Sequence, residues 1–143
     1  MSVHLDDLLD LPNVRVESYT QIEGSVTLKI VMCSESMVCP HCGSSIDELH
    51  QNRPILVRDL SIFGRPTYLH LPRRQFYCSE CQRYSTERLD FVDQKRRHTQ
   101  RYEEDIYQRV QSYNMEQIGR EEGLKYDEIK GVFDHIRSKK TEK

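Results

Sequence analysis

Two cysteine pairs carry the clearest chemistry in this sequence, Cys39-Pro40-His41-Cys42-Gly43 and Cys78-Ser79-Glu80-Cys81. Two thiolates separated by two residues can grip a metal from one tight turn, and a second such turn completes a closed tetrahedral shell. A closed shell leaves no position for water, so the expected metal is one structural zinc ion rather than a catalytic one. The 35 residues between the pairs exceed the commonest finger spacing. Strand signals on either side of Gly64 would nevertheless double the chain back and return Cys78 beside Cys42, as in a zinc ribbon. Iron in a rubredoxin-like site uses similar knuckles and stays open as an alternative. A dithiol redox centre needs a single pair at a helix start within a βαβ unit, and no such pattern is present. Cys33 reads as a small buried hydrophobe. His41 and His50 read as solvated or hydrogen-bonded side chains, because four cysteines already complete the shell.

A second chemical signal surrounds the second pair. Arg73, Arg74, Arg83, Arg88, Lys95, Arg96, Arg97 and Arg101 cluster there, with Tyr77, Tyr84 and Phe91 interleaved. The guanidinium fork suits phosphate oxygens, and aromatic rings can stack on bases or sugars. The plainer reading is a solvated face, or arginines paired with Glu80, Glu87, Asp90 and Asp93. The charge distribution supports a polyanionic partner. Residues 1–52 hold two basic and eight acidic groups, residues 53–101 eleven and five, and residues 102–143 eight and ten, although the whole chain sums to −2.

Downstream, the period of the apolar residues becomes helical, with Tyr102, Ile106, Val110 and Tyr113 on one stripe. From Met115 the spacing fits a helix-turn-helix. Gly119 lets two helices cross closely, Gly123 supplies a positive-φ turn, and Ile118, Leu124, Ile129 and Val132 face inward. Asn114 is the expected N-cap, with Gln117 three residues on. Glu122 departs from the pattern, occupying a position where an apolar residue usually closes the two helices. Lys125, Tyr126 and Lys130 are the candidate DNA contacts of the second helix. Its outward surface, with Asp127 and Asp134, carries mixed charge, and an ordinary helical hairpin is the alternative.

These groups need elements to position them. Leu5, Leu8, Leu9 and Leu11 before Pro12 predict a short helix. Alternation around Gly24 predicts a β-hairpin. Ile55–Leu60 and Thr67–Leu71 predict strands flanking Gly64, with Gln75–Tyr77 as a third. The expected fold class is α+β, a small β-rich zinc ribbon followed by a helix-turn-helix segment. Its expected divisions are an N-terminal helix and hairpin packing on the ribbon (1–32), the ribbon (33–92), a basic linker (93–98) and a helical region (99–143). The chain of 143 residues is 36 % hydrophobic, contains neither alanine nor tryptophan, and predicts a thin core that a metal staple would help. An acidic N-terminus without a leader, and the lack of a long apolar stretch, predict a cytoplasmic, nucleoid-associated protein with no membrane partner.

The ordered set of Cys-Pro-His-Cys-Gly, Arg58-Asp59-Leu60, Gly64-Arg65, Arg73-Arg74-Gln75-Phe76-Tyr77-Cys78, Cys81 and Thr86-Glu87-Arg88 resembles the N-terminal zinc-binding region of the ISL-three family of insertion-sequence transposases. The helices after His98-Thr99 resemble that family's helix-turn-helix. The resemblance implies a module recognising the element's terminal inverted repeats in double-stranded DNA, with Cys39, Cys42, Cys78 and Cys81 in the zinc positions. Members of the family continue into an RNase H-like domain whose Asp/Asp/Glu set binds the catalytic metals. No position here matches that domain, so no enzymatic activity is expected of these residues. A short protein, a fragment and half of a split frame remain open. The rival reading is an interaction module that self-associates or docks on a full-length transposase.

Overall fold

A computed structural model describes residues 5–141. Leu5–Leu9 form a short helix, α1, which buries Leu9. It ends where Asp10 turns to positive φ, two residues before Pro12. The next elements are β1 (Val14–Ile22), β2 (Ser25–Met32), β3 (Met37–Val38), β4 (Ser45–Ile46), β5 (Glu48–Asn52), β6 (Ile55–Ile62), β7 (Arg65–Leu71), β8 (Arg74–Cys78) and β9 (Arg83–Thr86). The helices α2 (Gln100–Val110), α3 (Met115–Glu122) and α4 (Tyr126–Thr141) follow. The fold is α+β, as the sequence predicts.

Among the described residues, nine strands divide into three sheets. A four-stranded sheet has the order β1-β2-β7-β6, antiparallel except for the parallel β2–β7 pair. Both of its hairpins close through two consecutive positive-φ residues, Glu23-Gly24 and Phe63-Gly64. This backbone matches the natural twist of paired strands. Val26, Leu28 and Ile30 from β2 meet Val57, Leu69 and Leu71 from β6 and β7, with Leu9, Val14 and Phe91 completing the cluster. The other sheets are the β3–β4 pair and the three-stranded β5-β8-β9 sheet.

The hairpin around Gly64 therefore forms, but not as part of the ribbon. It leaves after β5, joins β2, and returns at β8, because its apolar face finds a partner in the β1–β2 hairpin rather than near the cysteines. Gln75–Tyr77 likewise adds a strand to β5 and β9 and not to that hairpin. Segments 1–32 and 33–92 consequently share a sheet. The basic segment after Asp93 runs along the free edge of β6, where the Arg58 N–H donates to the Arg97 carbonyl at 2.9 Å and Thr99 N–H donates to the Arg58 carbonyl at 2.9 Å.

The helices have a separate core of Tyr102, Ile106, Ile118, Ile129 and Val132, which receives Leu60 from β6. Thr99 caps α2 and Asn114 caps α3, each accepting a bond from the N–H three residues on. Gly123, at φ 70°, ends α3. A Cβ on Gly119 would lie 2.6 Å from the Leu124 carbonyl oxygen, so only glycine permits this turn geometry. Tyr113 does not continue the buried stripe: α2 ends at Val110, and Tyr113 is 57 % exposed beyond it. No helix among the described residues is long and apolar enough to cross a membrane.

Candidate metal centre and basic surface

The first cysteine pair sits between β3 and β4. Its turn is closed by the Gly43 N–H donating to the Cys39 carbonyl at 2.9 Å and by the Cys39 N–H donating to Ser44 at 2.8 Å. The second pair occupies the β8–β9 turn. The positive-φ residue after the second cysteine is Gly43 in one knuckle and Gln82 in the other. The knuckles face each other, with Cys39 Sγ 3.6 Å from Cys81 Sγ and Cys42 Sγ 3.5 Å from Cys78 Sγ. All four sulfurs lie within 4.8 Å of one another. Four thiolates about 2.3 Å from a central zinc would be spaced about 3.8 Å apart, so the cluster fits one structural zinc ion.

The thiols differ in how readily they lose their protons. The nearby Ser44 hydroxyl and N–H bring Cys42 down to about 7. Burial and the neighbouring thiols push Cys81 up to about 12. Four thiolates this close repel one another, and a dication at their centre removes that opposition. Around the sulfurs, Ser44 Oγ donates to Glu80 Oε2 at 2.7 Å, and Arg83 Nη1 lies 3.1 Å from His41 Nδ1, so the residues inside one knuckle grip the other. The apolar support is slight, consisting of Ile46 and Phe76 with Met37 packed alongside. Neither His41 nor His50 joins the four sulfurs: the second packs at a tilt against the Tyr84 ring, centroids 4.6 Å apart. Cys33 is exposed rather than buried, because it follows β2 at the sheet's end.

The predicted basic residues fall into two groups. Arg74 makes a two-pronged contact with Glu87, at 2.9 and 2.7 Å, and lies over the Phe76 ring. Arg96 donates at 2.9 and 2.6 Å to Glu103, a fully buried carboxylate that also takes His98 at 3.0 Å. Burial opposes the Glu103 charge, but His98 and Arg96 outweigh it and hold its pKa below the ordinary range. Arg101 clamps Asp59 and the Leu9 carbonyl. Arg73, Arg88, Lys95 and Arg97 are exposed, as are Arg83, Lys125, Tyr126 and Lys130. Lys130 pairs with Asp134 at 3.0 Å, one turn away on α4.

Glu122 has a different role from the apolar closure its position suggests. It accepts from Tyr102 Oη at 2.9 Å, Arg109 Nη1 at 2.8 Å and Arg58 Nη2 at 3.3 Å. Burial works against its charge, while the bonds from Arg109 and Tyr102 hold its pKa below the usual carboxylate range. A carboxylate here closes the helix pair through hydrogen bonds and so ties it to the sheet. The sequence signals were the charged residue at an apolar position and the Arg58-Asp59-Leu60 run inside a strand.

Comparison with known proteins agrees with this geometry. Residues 35–81 match the family described as the zinc-finger of transposase IS204/IS1001/IS1096/IS1165. The chain is 33 % identical over 106 residues to the Transposase for insertion sequence element IS1001 of Bordetella parapertussis, an alignment covering 74 % of this chain and 26 % of that protein. The aligned part thus spans about a quarter of the length of that relative. No solved structure matches the chain. With four sulfurs arranged for zinc inside the matched segment, residues 35–81 carry the zinc ribbon of this transposase family, and the similarity to a transposase extends beyond that segment.

Proposed function

We propose that this chain is the DNA-recognition region of a transposase, binding the terminal inverted repeats of its element and leaving strand cleavage and transfer to a separate catalytic domain. The observation that carries the reading is the α3–turn–α4 unit. Asn114 caps its first helix, Gly119 and Gly123 shape its turn, and Ile118, Leu124, Ile129 and Val132 pack between the helices. In such a unit the second helix enters the major groove with its N-terminal residues at the base edges. Lys125, Tyr126 and Lys130 lie at that end of α4, all exposed. Arg73, Arg83, Arg88, Lys95 and Arg97 are the candidates for phosphate contacts. Arg74 and Arg96 support the surface from beneath through Glu87 and Glu103. The relative's printed name, a transposase for an insertion sequence element, supports the same reading.

The test is fluorescence anisotropy of the zinc-loaded chain with a duplex from the ends of its insertion element and with a shuffled duplex. Tighter binding to the end duplex, weakening steeply with salt, is the expected result. Equal affinity for both duplexes would refute repeat recognition. A second reading, a protein contact, is favoured by one feature: Tyr113 and Tyr126, both half-exposed, flank an open depression that Val110 and Met115 also line. A concentration-dependent dimer by light scattering, together with no DNA binding at low salt, would favour it.

A further inference from the structure

Three rows of side chains cross the exposed face of the β5-β8-β9 sheet. Cys78, Phe76 and Ser85 point to the buried side. Alternation therefore places Tyr77 and Gln75 of β8, and Tyr84 and Thr86 of β9, on the other face. The register sets Tyr77 opposite Tyr84 and Glu48, and Gln75 opposite Thr86 and Gln51. The Arg53 N–H donates to the Arg73 carbonyl at 3.0 Å, and the Glu87 N–H donates to the Arg74 carbonyl at 2.8 Å. Continuing the register by one residue brings Arg53, Arg73 and Arg88 into a third row. All three arginines are exposed, and among the described residues none has a carboxylate partner.

The aromatic row is assembled rather than incidental. Tyr77 and Tyr84 stand with ring centroids 5.0 Å apart, and His50 reaches across to Tyr84 at 4.6 Å. His50 does so because β5 shifts register between Leu49 and Gln51, a bulge that re-aims one side chain. Tyr84 is nevertheless 52 % exposed, so these tilted contacts leave much of its surface in water. Gln51 Nε2 donates to Gln75 Oε1 at 3.0 Å, fixing the amides of the middle row.

We propose that this face binds unpaired nucleotides of a DNA strand: the exposed rings of the His50–Tyr84–Tyr77 cluster receive bases, and Arg53, Arg73 and Arg88 hold the phosphates that follow. The proposal rests on the reading of this chain as a DNA-binding module and adds a second, single-strand surface to its duplex-reading helices. Rings on a flat, open sheet can stack on bases only where those bases are not already stacked in a duplex. The arginine row lies four residues from the aromatic row, about 13 Å along the strand, a short run of an extended chain of nucleotides. Glu48, at the edge of the aromatic row, keeps backbone phosphate away from that end and favours the strand running toward the arginines. Residues of one sign at one end and aromatic rings at the other match a polyanion carrying flat apolar bases better than they match a protein surface.

The experiment uses the whole 143-residue chain, loaded with zinc, and a fluorescein-labelled oligothymidylate of about 12 nucleotides at low salt. Tyr84→Ala and Tyr77→Ala should each weaken its binding by about tenfold, while Tyr84→Phe keeps the ring and stays within about twofold. Arg53→Ala should weaken binding and lower its salt dependence. Zinc content and binding of the element-end duplex should be unchanged in Tyr84→Ala, which separates this surface from the helices. If the oligonucleotide does not bind, or binds Tyr84→Ala as tightly as the parent, the single-strand surface is wrong while duplex recognition stands. If the duplex fails and the oligonucleotide binds, the reverse holds.

Discussion

Arg58, in the middle of a β-strand, donates through Nη1 to the carbonyl of Glu122 at 2.6 Å and through Nη2 to its carboxylate at 3.3 Å. Glu122 is the last residue of α3, so a strand guanidinium satisfies a helix C-terminal carbonyl that the helix itself leaves without a partner. The same guanidinium lies over the rings of Tyr68 and Tyr102, 5.6 and 5.2 Å from their centroids. Sheet and helix-turn-helix are thereby fastened through one side chain, and its neighbours extend the joint. Asp59 accepts from Thr99 Oγ1 and Arg101, and Leu60 enters the helical core.

Arg58→Ala should therefore destabilise the chain by about 3 kcal/mol, since it leaves Glu122 buried with one cation fewer. Urea unfolding measures it, with a loss under about 1 kcal/mol counting against the joint. Replacing Arg58 by Lys should recover only part of the loss, because an ammonium cannot bridge the carbonyl and carboxylate with a planar fork.

The two helical glycines should respond in opposite directions to alanine. Gly119→Ala drives a methyl into the Leu124 carbonyl and should cost roughly 1–3 kcal/mol. A Cβ at Gly131 meets nothing within 4 Å, so Gly131→Ala should stabilise α4 by up to about 1 kcal/mol. Matching thermal shifts in the two variants would contradict the close crossing at Gly119.

Removing the metal should melt only part of the β structure. The ribbon has almost no apolar core without its cysteines, whereas the four-stranded sheet contributes seven of the nine buried residues of its own core. Chelation should release one zinc per chain and expose the amides of residues 37–52 and 74–86 to hydrogen exchange, with β2 and β7 still protected. Protection retained across the ribbon in metal-free protein would overturn the structural role of zinc. Iron in place of zinc would show as a coloured protein.

Neighbouring arginines should separate into stability and affinity effects. Arg96→Ala leaves the fully buried Glu103 with His98 alone and should lower the unfolding free energy by about 3 kcal/mol. Arg73→Ala and Arg97→Ala, at exposed positions, should leave stability within about 0.5 kcal/mol while weakening DNA binding and flattening its salt dependence. Arg74→Ala should follow Arg96→Ala, through loss of the two-pronged contact to Glu87.

Acid should loosen the attachment of α4. Burial works against the charge of Asp93, but bonds from Lys139, His135 and Gln100 bring its pKa down to about 2. A folded pKa below the unfolded value contributes stability that is complete above about pH 4 and disappears as pH falls to about 2. Asp93→Asn should thus be less stable than the parent at neutral pH, with the difference vanishing at the acid end. A difference that persists unchanged to pH 2 would show that Asp93 acts through packing alone.

The local parts of this protein were legible because they rest on short-range rules. The knuckles follow from Cys-x-x-Cys, the α3 cap from Asn114, the helix-turn-helix from Gly119, Gly123 and the apolar spacing, and both large hairpins from their glycines. The placement of parts was not legible. The hairpin around Gly64 pairs with β2, a choice made by the fit between two apolar faces far apart in sequence. Whether a given arginine meets solvent or a carboxylate depended on neighbours such as Glu103 that only folding brings close. The contact of His50 with Tyr84 depended on a bulge that leaves no mark in the pattern of residues.

The sequence by itself thus determined the four-cysteine metal site, its two knuckles and the likeness to a transposase zinc ribbon, since each is written in residue types at fixed short spacings. Tertiary structure alone decided which charges are structural and which are free, because that depends on long-range burial. Arg58 and Glu122 illustrate the difference. In the chain they are 64 residues apart and look like two more surface charges; in the fold each is largely withdrawn from water, and their contact joins sheet to helices.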